Sequence, residues 1–487
     1  MFSCTSGDAA LPGNHEGCLC HGPEVRALTR RLGAELTRRG FVGGMAASLT
    51  TLAMPNLASA QTAAVPAAPS RRILLKNFRL FDGKSDALRD GLHLLIDGQR
   101  IKTLAEGDPS PPDDAEIIDC GGKTLMPGLI DMHWHAIFAA LPPQVLASAD
   151  LGYVFLAASA EAERTLMRGF TTIRDMGGPA YALKQAIDEG IVSGPRIYPS
   201  GPMITSSGGH GDLRQLSDLP RTPDRLSHIE EVGATAIADS PDDVRLRVRE
   251  QLLQGASQIK LVGSGGVSSP RSPLDSLCLT EPELRAGIEA ASDWSTYVTV
   301  HAYVPAAIQR AISAGAQCIE HGHLMDEATA KLMADKGIWL STQPFVGDDD
   351  MVPLTGESRL KQLAVIGGTD KVYNLAKTYG IKTAFGSDLL FSAALTPRQG
   401  PMLTHLTRWY TNAEILKMAT GTNAELLALS GPRNPYAGKL GVIEEQAFAD
   451  LLLVDGNPLE NVALLADPAR SLALIMKDGR VYKNTLS

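Results

Sequence analysis

The chain has 487 residues, too many for one ordinary hydrophobic core, and its 44% hydrophobic content rules out a disordered chain. With 45 Lys and Arg against 54 Asp and Glu, it carries a net charge of −9 and no concentrated basic block, so it lacks the phosphate-neutralising surface that nucleic acid demands. Its 6 cysteines, Cys4, Cys18, Cys20, Cys120, Cys278 and Cys318, are too few for a disulfide framework, and Cys18-Leu19-Cys20-His21 lacks the second ligand pair of a zinc finger.

The first predicted element is a processing signal over 37–60. Arg38-Arg39-Gly40-Phe41 precedes an uncharged, moderately apolar stretch at 42–57, and Ala58-Ser59-Ala60 offers a signal peptidase its small residues. The pattern resembles a twin-arginine export signal and predicts a periplasmic or secreted product. At 16 residues diluted by Gly, Ser and Thr, the stretch falls short of the ~20 apolar residues of a bilayer span, so no stable membrane anchor is expected. The long polar leader before Arg38 departs from that pattern and leaves open a translation start downstream of Met1. A Gln/Thr/Ala/Pro-rich linker follows at 61–70.

Short β-branched and apolar runs at 72–78, 93–96, 100–104 and 116–119 are punctuated by Asp82-Gly83 and Asp97-Gly98 turns, which predicts an antiparallel sheet. The same texture returns at 450–454 and 471–476, with Asp455-Gly456-Asn457-Pro458 and Lys477-Asp478-Gly479-Arg480 as turns. The two ends, 71–126 and 430–487, are therefore expected to form one composite β-sandwich domain.

Between 127 and 429 short apolar strands alternate with amphipathic helical stretches. Eight candidate strands centre on 129–133, 171–174, 196–200, 258–262, 297–301, 317–321, 338–341 and 383–385, the repeat of a (β/α)8 barrel in the α/β class. A doubly wound open sheet is the competing fold, but no Gly-rich phosphate turn follows the first strand.

Barrel enzymes carry their reactive groups at the C-terminal strand ends, and ligand-type residues collect there. In Pro127-Gly128-Leu129-Ile130-Asp131-Met132-His133-Trp134-His135 the two histidines lie two apart, on one side of a strand, where they can share a metal. Lys260 sits among apolar residues in Gln258-Ile259-Lys260-Leu261-Val262, an expensive place for an ammonium. Burial favours the neutral amine, which can take up carbon dioxide as a carbamate; the alternative is a lysine that snorkels or pairs with an acid. His301 closes the fifth strand, His321 the sixth, and Asp388 follows the eighth. Singly, these read as hydrogen-bonded core histidines and a helix cap rather than as ligands. Six ligand-type residues gathered at strand ends favour a metal centre.

The motifs Pro-Gly-Leu-Ile-Asp-Met-His-Trp-His, Ile-Lys, Val-His-Ala, Ile-Glu-His-Gly and Gly-Ser-Asp resemble the ordered metal motifs of the amidohydrolase superfamily. Thr171-Thr172-Ile173-Arg174-Asp175-Met176-Gly177-Gly178 and Gly208-Gly209-His210-Gly211 resemble its imidazolonepropionase-like branch, which includes Xaa-Pro and Xaa-Arg dipeptidases and ochratoxin-degrading amidases. The resemblance spans residues 72–481. It implies one divalent ion on His133, His135 and Asp388, a second on His301 and His321, and a carbamate on Lys260 bridging them, with zinc the expected metal. It also implies that Asp388 shuttles a proton, that the substrate is a small amide, dipeptide or N-acyl amino acid ending in a free carboxylate, and that the chain assembles as a homo-oligomer.

Specificity is expected from the loops at 205–212 and 263–271. His210 is a candidate donor to a developing oxyanion or a loop-ordering residue. Tyr303 is a candidate substrate contact, Arg271 a candidate partner for a carboxylate, and His323 a supporting or surface residue. Lactone or carbamate hydrolysis, heterocycle deamination and a silent binding protein remain alternatives on the same fold.

Overall fold

The computed structural model describes residues 72–107, 110–220 and 225–486. The expected export signal at 37–60, the linker at 61–70 and the first three cysteines lie outside the described residues. Pro69–Ser487 forms a compact unit. Among the described residues no helix is long and apolar enough to cross a membrane, and Cys120, Cys278 and Cys318 are free thiols.

The N-terminal strands are β1 (Arg72–Leu80), β2 (Arg89–Asp97), β3 (Arg100–Glu106), β4 (Ala115–Asp119) and β5 (Thr124–Pro127). In β2 the inward positions Leu92, Leu94 and Ile96 alternate with half-exposed ones, the period of a strand with one face on a core. The next strands are β6 (Leu129–Trp134), β7 (Phe170–Asp175), β8 (Arg196–Pro199), β9 (Met203–Thr205), β10 (Thr235–Ile237), β11 (Ile259–Val262), β12 (Val298–Ala302), β13 (Cys318–His321), β14 (Trp339–Thr342) and β15 (Thr383–Phe385). From β6 to β15 every strand residue is buried, as parallel strands covered on both faces require. The chain ends with β16 (Leu451–Val454), β17 (Leu472–Lys477) and β18 (Arg480–Asn484).

Strands from both ends join one eight-stranded sheet in the order β18-β17-β16-β5-β1-β2-β3, with β4 also on β1. It encloses an apolar core that includes Ile73, Leu75, Leu94, Ile96, Leu451, Leu453, Leu474 and Met476.

The middle of the chain is a (β/α)8 barrel. β6-β7-β8 pair in parallel, as do β9-β11-β12-β13-β14-β15, while β10 lies beside β9. The third barrel strand is broken: β8 pairs with β7, and β9, after Ser200-Gly201-Pro202, pairs with β11. Pro199 and Pro202 remove two backbone donors there, so one strand becomes two. Between β15 and β6 the ring closes through a side chain. Asn423 donates to Ile130 O at 2.8 Å and to Phe385 O at 3.0 Å, and accepts from Phe385 N at 3.1 Å. Beyond β15, Asp388 N donates to His133 O at 2.8 Å. Gly386 permits this approach, since a Cβ there would sit 2.5 Å from that of His133.

The helices between strands stop and start where the sequence dictates. Pro305–Ala314 begins on proline at its first turn and ends at Gly315, whose φ of 107° suits only glycine. Glu281–Asp293 is entered through a Thr280/Glu283 capping box.

Candidate active site

The barrel brings His133, His135, Lys260, His301, His321 and Asp388 into the lining of one cavity of about 150 Å³. Asp388 Oδ1 lies 3.5 Å from His133 Nε2 and 3.4 Å from His135 Nε2, and its Oδ2 is 3.9 Å from His321 Nδ1. His133, His321 and Asp388 each offer a ligand atom within 4.8 Å of the others. The His301 and His321 rings are 4.5 Å apart between centroids. His321 and Asp388 hold φ of 72° and 52°, left-handed values that a non-glycine residue adopts at a cost of about 1–3 kcal/mol.

Lys260 is the exception to strand-end placement. It is the second residue of β11, two positions below the end, and its long stem reaches up into the cavity. Burial pushes its ammonium down to about 8, against the pull of Glu320 and Asp388. Burial, reinforced by Lys260, also drives His133 down to about 4, and it carries His301 and His321 well below the ordinary imidazole value. For Asp388 burial works upward, but His133, His135 and Lys260 outweigh it and hold the carboxyl below its usual range. Neutral imidazoles, an ionised carboxylate and an amine poised to lose its proton are the protonation states a divalent metal selects, so the residues present fit one.

One ring nitrogen of each of three histidines has an acceptor within reach. His133 Nδ1 lies 2.7 Å from Glu320 Oε2, His321 Nδ1 2.8 Å from Gln343 Oε1, and His301 Nε2 3.1 Å from Gly265 O. A proton on each of these nitrogens leaves the other free to ligate.

His210 stacks on His301 at 4.3 Å and lines the cavity, packed on Gly266, where a Cβ would meet its ring at 2.3 Å. Its Nδ1 is buried without a hydrogen-bond partner, and burial followed by Lys260 pushes the ring down to about 3. Tyr303 stacks on His321 at 4.9 Å and lines the same cavity. Arg271 does not join them: it is exposed and lines a separate surface groove with Asp212 and Asp243. His323 is fully buried, its Nε2 2.9 Å from Gln343 O. The rest of the cavity wall is largely apolar, from Phe138, Met203, Phe345, Met351, Leu354, Phe391 and Leu395.

Four supporting residues escape a reading based on ligand types. Asp131 accepts from His133 N and Ser387 N, both at 3.0 Å, and from Gln399 Nε2 at 2.9 Å, tying β6 to the Asp388 turn. Glu320 and Arg174 are fully buried and joined at 2.6 Å. Gln343 links His321 to His133, approaching the latter's Nδ1 at 3.3 Å. The signal for Asp131, Arg174 and Glu320 was charge inside an apolar strand, the same signal that singled out Lys260.

Residues 124–482 match the model of the amidohydrolase family. The ochratoxinase of Aspergillus niger is 30% identical over 380 residues, 74% of this chain and 75% of that protein. A prolidase solved in complex with N-methylphosphonate-L-proline superposes with a TM-score of 0.77 at 34% identity, over 85% of this chain and 100% of that one. A Xaa-Pro dipeptidase with methionine bound in its active site gives 0.73 at 29% identity, with the same coverage.

Proposed function

The chain belongs to the amidohydrolase family and is a hydrolase of amide or peptide bonds; from that premise we propose that it is a binuclear enzyme cleaving a small amide whose amine half carries a free carboxylate and whose acyl half is apolar. The convergence of six ligand-type side chains on one cavity carries this reading. His133, His135 and Asp388 would hold one divalent ion, His301 and His321 the other, and Lys260 would join both as a carbamate, formed when its neutral amine takes up carbon dioxide and releases a proton. Zinc suits the nitrogen and oxygen donors. When bound, such a pair supplies an acidified water near neutral pH and an electrophilic pull on the scissile carbonyl.

The protein's own groups do the rest. Asp388, ionised and 14% exposed, accepts the proton of the attacking water at a carboxylate oxygen and returns it to the leaving amine. His210, neutral at physiological pH and lining the cavity, donates a hydrogen bond to the carbonyl oxygen as it gains charge. Tyr303 closes the side of the cavity beside His321. With Arg271 outside, Ser268, Ser269 and His210 form the polar rim available to a substrate carboxylate. Phe138, Phe345 and Phe391 favour an apolar acyl group opposite. The names of the relatives, an ochratoxinase, a prolidase and a Xaa-Pro dipeptidase, support the same class.

The test is hydrolysis by zinc-loaded protein, reconstituted with bicarbonate, of dipeptides, N-acyl amino acids, ochratoxin-like aryl amides and lactones. Turnover of apolar acyl-amino acids that falls on amidation of their carboxylate is expected, with about two equivalents of metal bound. Turnover confined to lactones, or less than one equivalent of metal, would overturn the proposal.

A further inference from the structure

Beneath the metal-ligand shell the barrel interior holds a second polar cluster, built on a buried ion pair. Arg174, on β7, and Glu320, on β13, both have side chains with no exposed surface, and Arg174 Nη2 meets Glu320 Oε1 at 2.6 Å. The same guanidinium donates from Nε to Met132 O at 2.7 Å, from Nη1 to the Tyr297 hydroxyl at 3.0 Å, and from Nη2 to Ser341 Oγ at 3.0 Å. Glu320 Oε1 also accepts from Thr299 Oγ1, while Oε2 faces His133 Nδ1 at 2.7 Å.

Such a pair is costly. A buried ion pair returns little net stability against apolar residues of the same volume, so its presence inside a barrel asks for another explanation. Geometry supplies it: one carboxylate oxygen is consumed by Arg174 and Thr299, and the other is left for a single ring nitrogen. Arg174 is held through Met132 on β6, Glu320 on β13, Ser341 on β14 and Tyr297 just before β12, so the position of Glu320 is set by the barrel rather than by the cavity.

We propose that Glu320, locked by Arg174, is a positioning residue that holds the proton of His133 on Nδ1 and aims Nε2 at the metal, thereby setting affinity at the buried site. Arg174 acts through Glu320 and touches neither metal nor substrate. The inference rests on the metal-centre reading above. It concerns how the ligand is presented, and its failure is separable from failure of that reading.

The experiment is zinc binding by the full chain, measured by competition with a chromophoric chelator, alongside thermal unfolding of the metal-free protein. Glu320→Gln should weaken the tighter zinc site by about 10–100-fold. Tyr297→Phe, which removes another partner of the same guanidinium but leaves Glu320 on His133, should lower the melting temperature without moving zinc affinity by more than about twofold. A role confined to packing would move both variants alike. Should Glu320→Gln not fold, Glu320→Asp keeps the charge beside Arg174 while drawing the carboxylate back from His133, and weaker zinc binding is expected there too. Unchanged zinc affinity in whichever of the two Glu320 variants folds overturns the proposal. Wild-type protein that binds no zinc overturns the metal-centre reading with it.

Discussion

The core of the sheet built from the two chain ends and the barrel interior below the cavity are both buried, yet they are filled by opposite chemistry. Ile73, Leu75, Leu94, Leu451, Leu453 and Leu474 fill the first with hydrocarbon. Lys260, Arg174, Glu320, Thr299 and Ser341 fill much of the second. Apolar burial contributes roughly 25 cal/mol per Å² and needs no partner; each charge in the barrel needs one, and even then returns little. The sheet core gains stability without needing partners, and the barrel interior below the cavity spends some on arrangement.

That division predicts that stability and turnover can be broken independently. Asp388→Asn keeps the shape and a ligand oxygen but removes the proton acceptor, so kcat on an apolar N-acyl amino acid should fall by about 10²–10⁴-fold with metal still bound. Leu453→Ala, in the sheet core, should cost about 2–5 kcal/mol of unfolding free energy with kcat of the folded enzyme unchanged. Kinetics and urea unfolding of both variants check the pair. A normal rate in Asp388→Asn would remove it from proton transfer, and a rate lost in Leu453→Ala would show that the two regions are coupled.

The two regions also differed in how much of them was legible. The sheet followed from period-two alternation and Asp-Gly turns, and all eight barrel strands followed from short apolar runs, because a strand buried on both faces leaves that trace. β5, β9, β10 and β18 were missed; β9 is cut from β8 by Gly201-Pro202, and β18 was read only as the turn at 477–480 that leads into it. The six candidate ligands that line the cavity were readable because His and Asp at strand ends, and a Lys inside an apolar strand, are conspicuous. What sequence could not supply was pairing. Arg174 and Glu320 lie 146 residues apart and meet only because β7 and β13 face each other across the barrel. Arg271 misled for the same reason: its loop borders the cavity, but its side chain points to a different groove.

Titration sharpens the contrast at a smaller scale. In metal-free protein the buried imidazoles of His133 and His210 are pushed down to about 4 and about 3 from an ordinary 6.5. Above pH 6.5 folded and unfolded chains hold the same protons on them. Between about 6.5 and 4 the unfolded chain binds protons the folded one refuses, so stability falls as pH falls. The sheet core contributes nothing in that window, its one thiol, Cys120, being pushed up to about 12. Urea midpoints of the metal-free protein should therefore drop from pH 7 to pH 4.5, with a slope that Leu453→Ala leaves unaltered. A flat profile would show imidazoles that accept protons without unfolding.

The smallest expected effect lies at the border between scaffold and cavity. The loop after β11 supplies Val267, Ser268 and Ser269 to the cavity wall and Gly266 to the face of His210. It has no sheet partner beyond a single bridge at Ser264. Lys361 takes that place: its ammonium donates to Gly266 O at 2.8 Å, Ser269 O at 2.7 Å and Ser272 O at 3.0 Å, gathering three carbonyls of the loop around one charge. The group is partly solvated, so the three bonds together should be worth about 1 kcal/mol net. Lys361→Met keeps most of the stem and loses the charge. Because the loop positions substrate and carries no proton, KM should rise about fivefold while kcat stays within about twofold. Loss of kcat instead would mean that the loop's grip on His210 governs the chemical step, and the border between arrangement and scaffold would have to be drawn one residue further out.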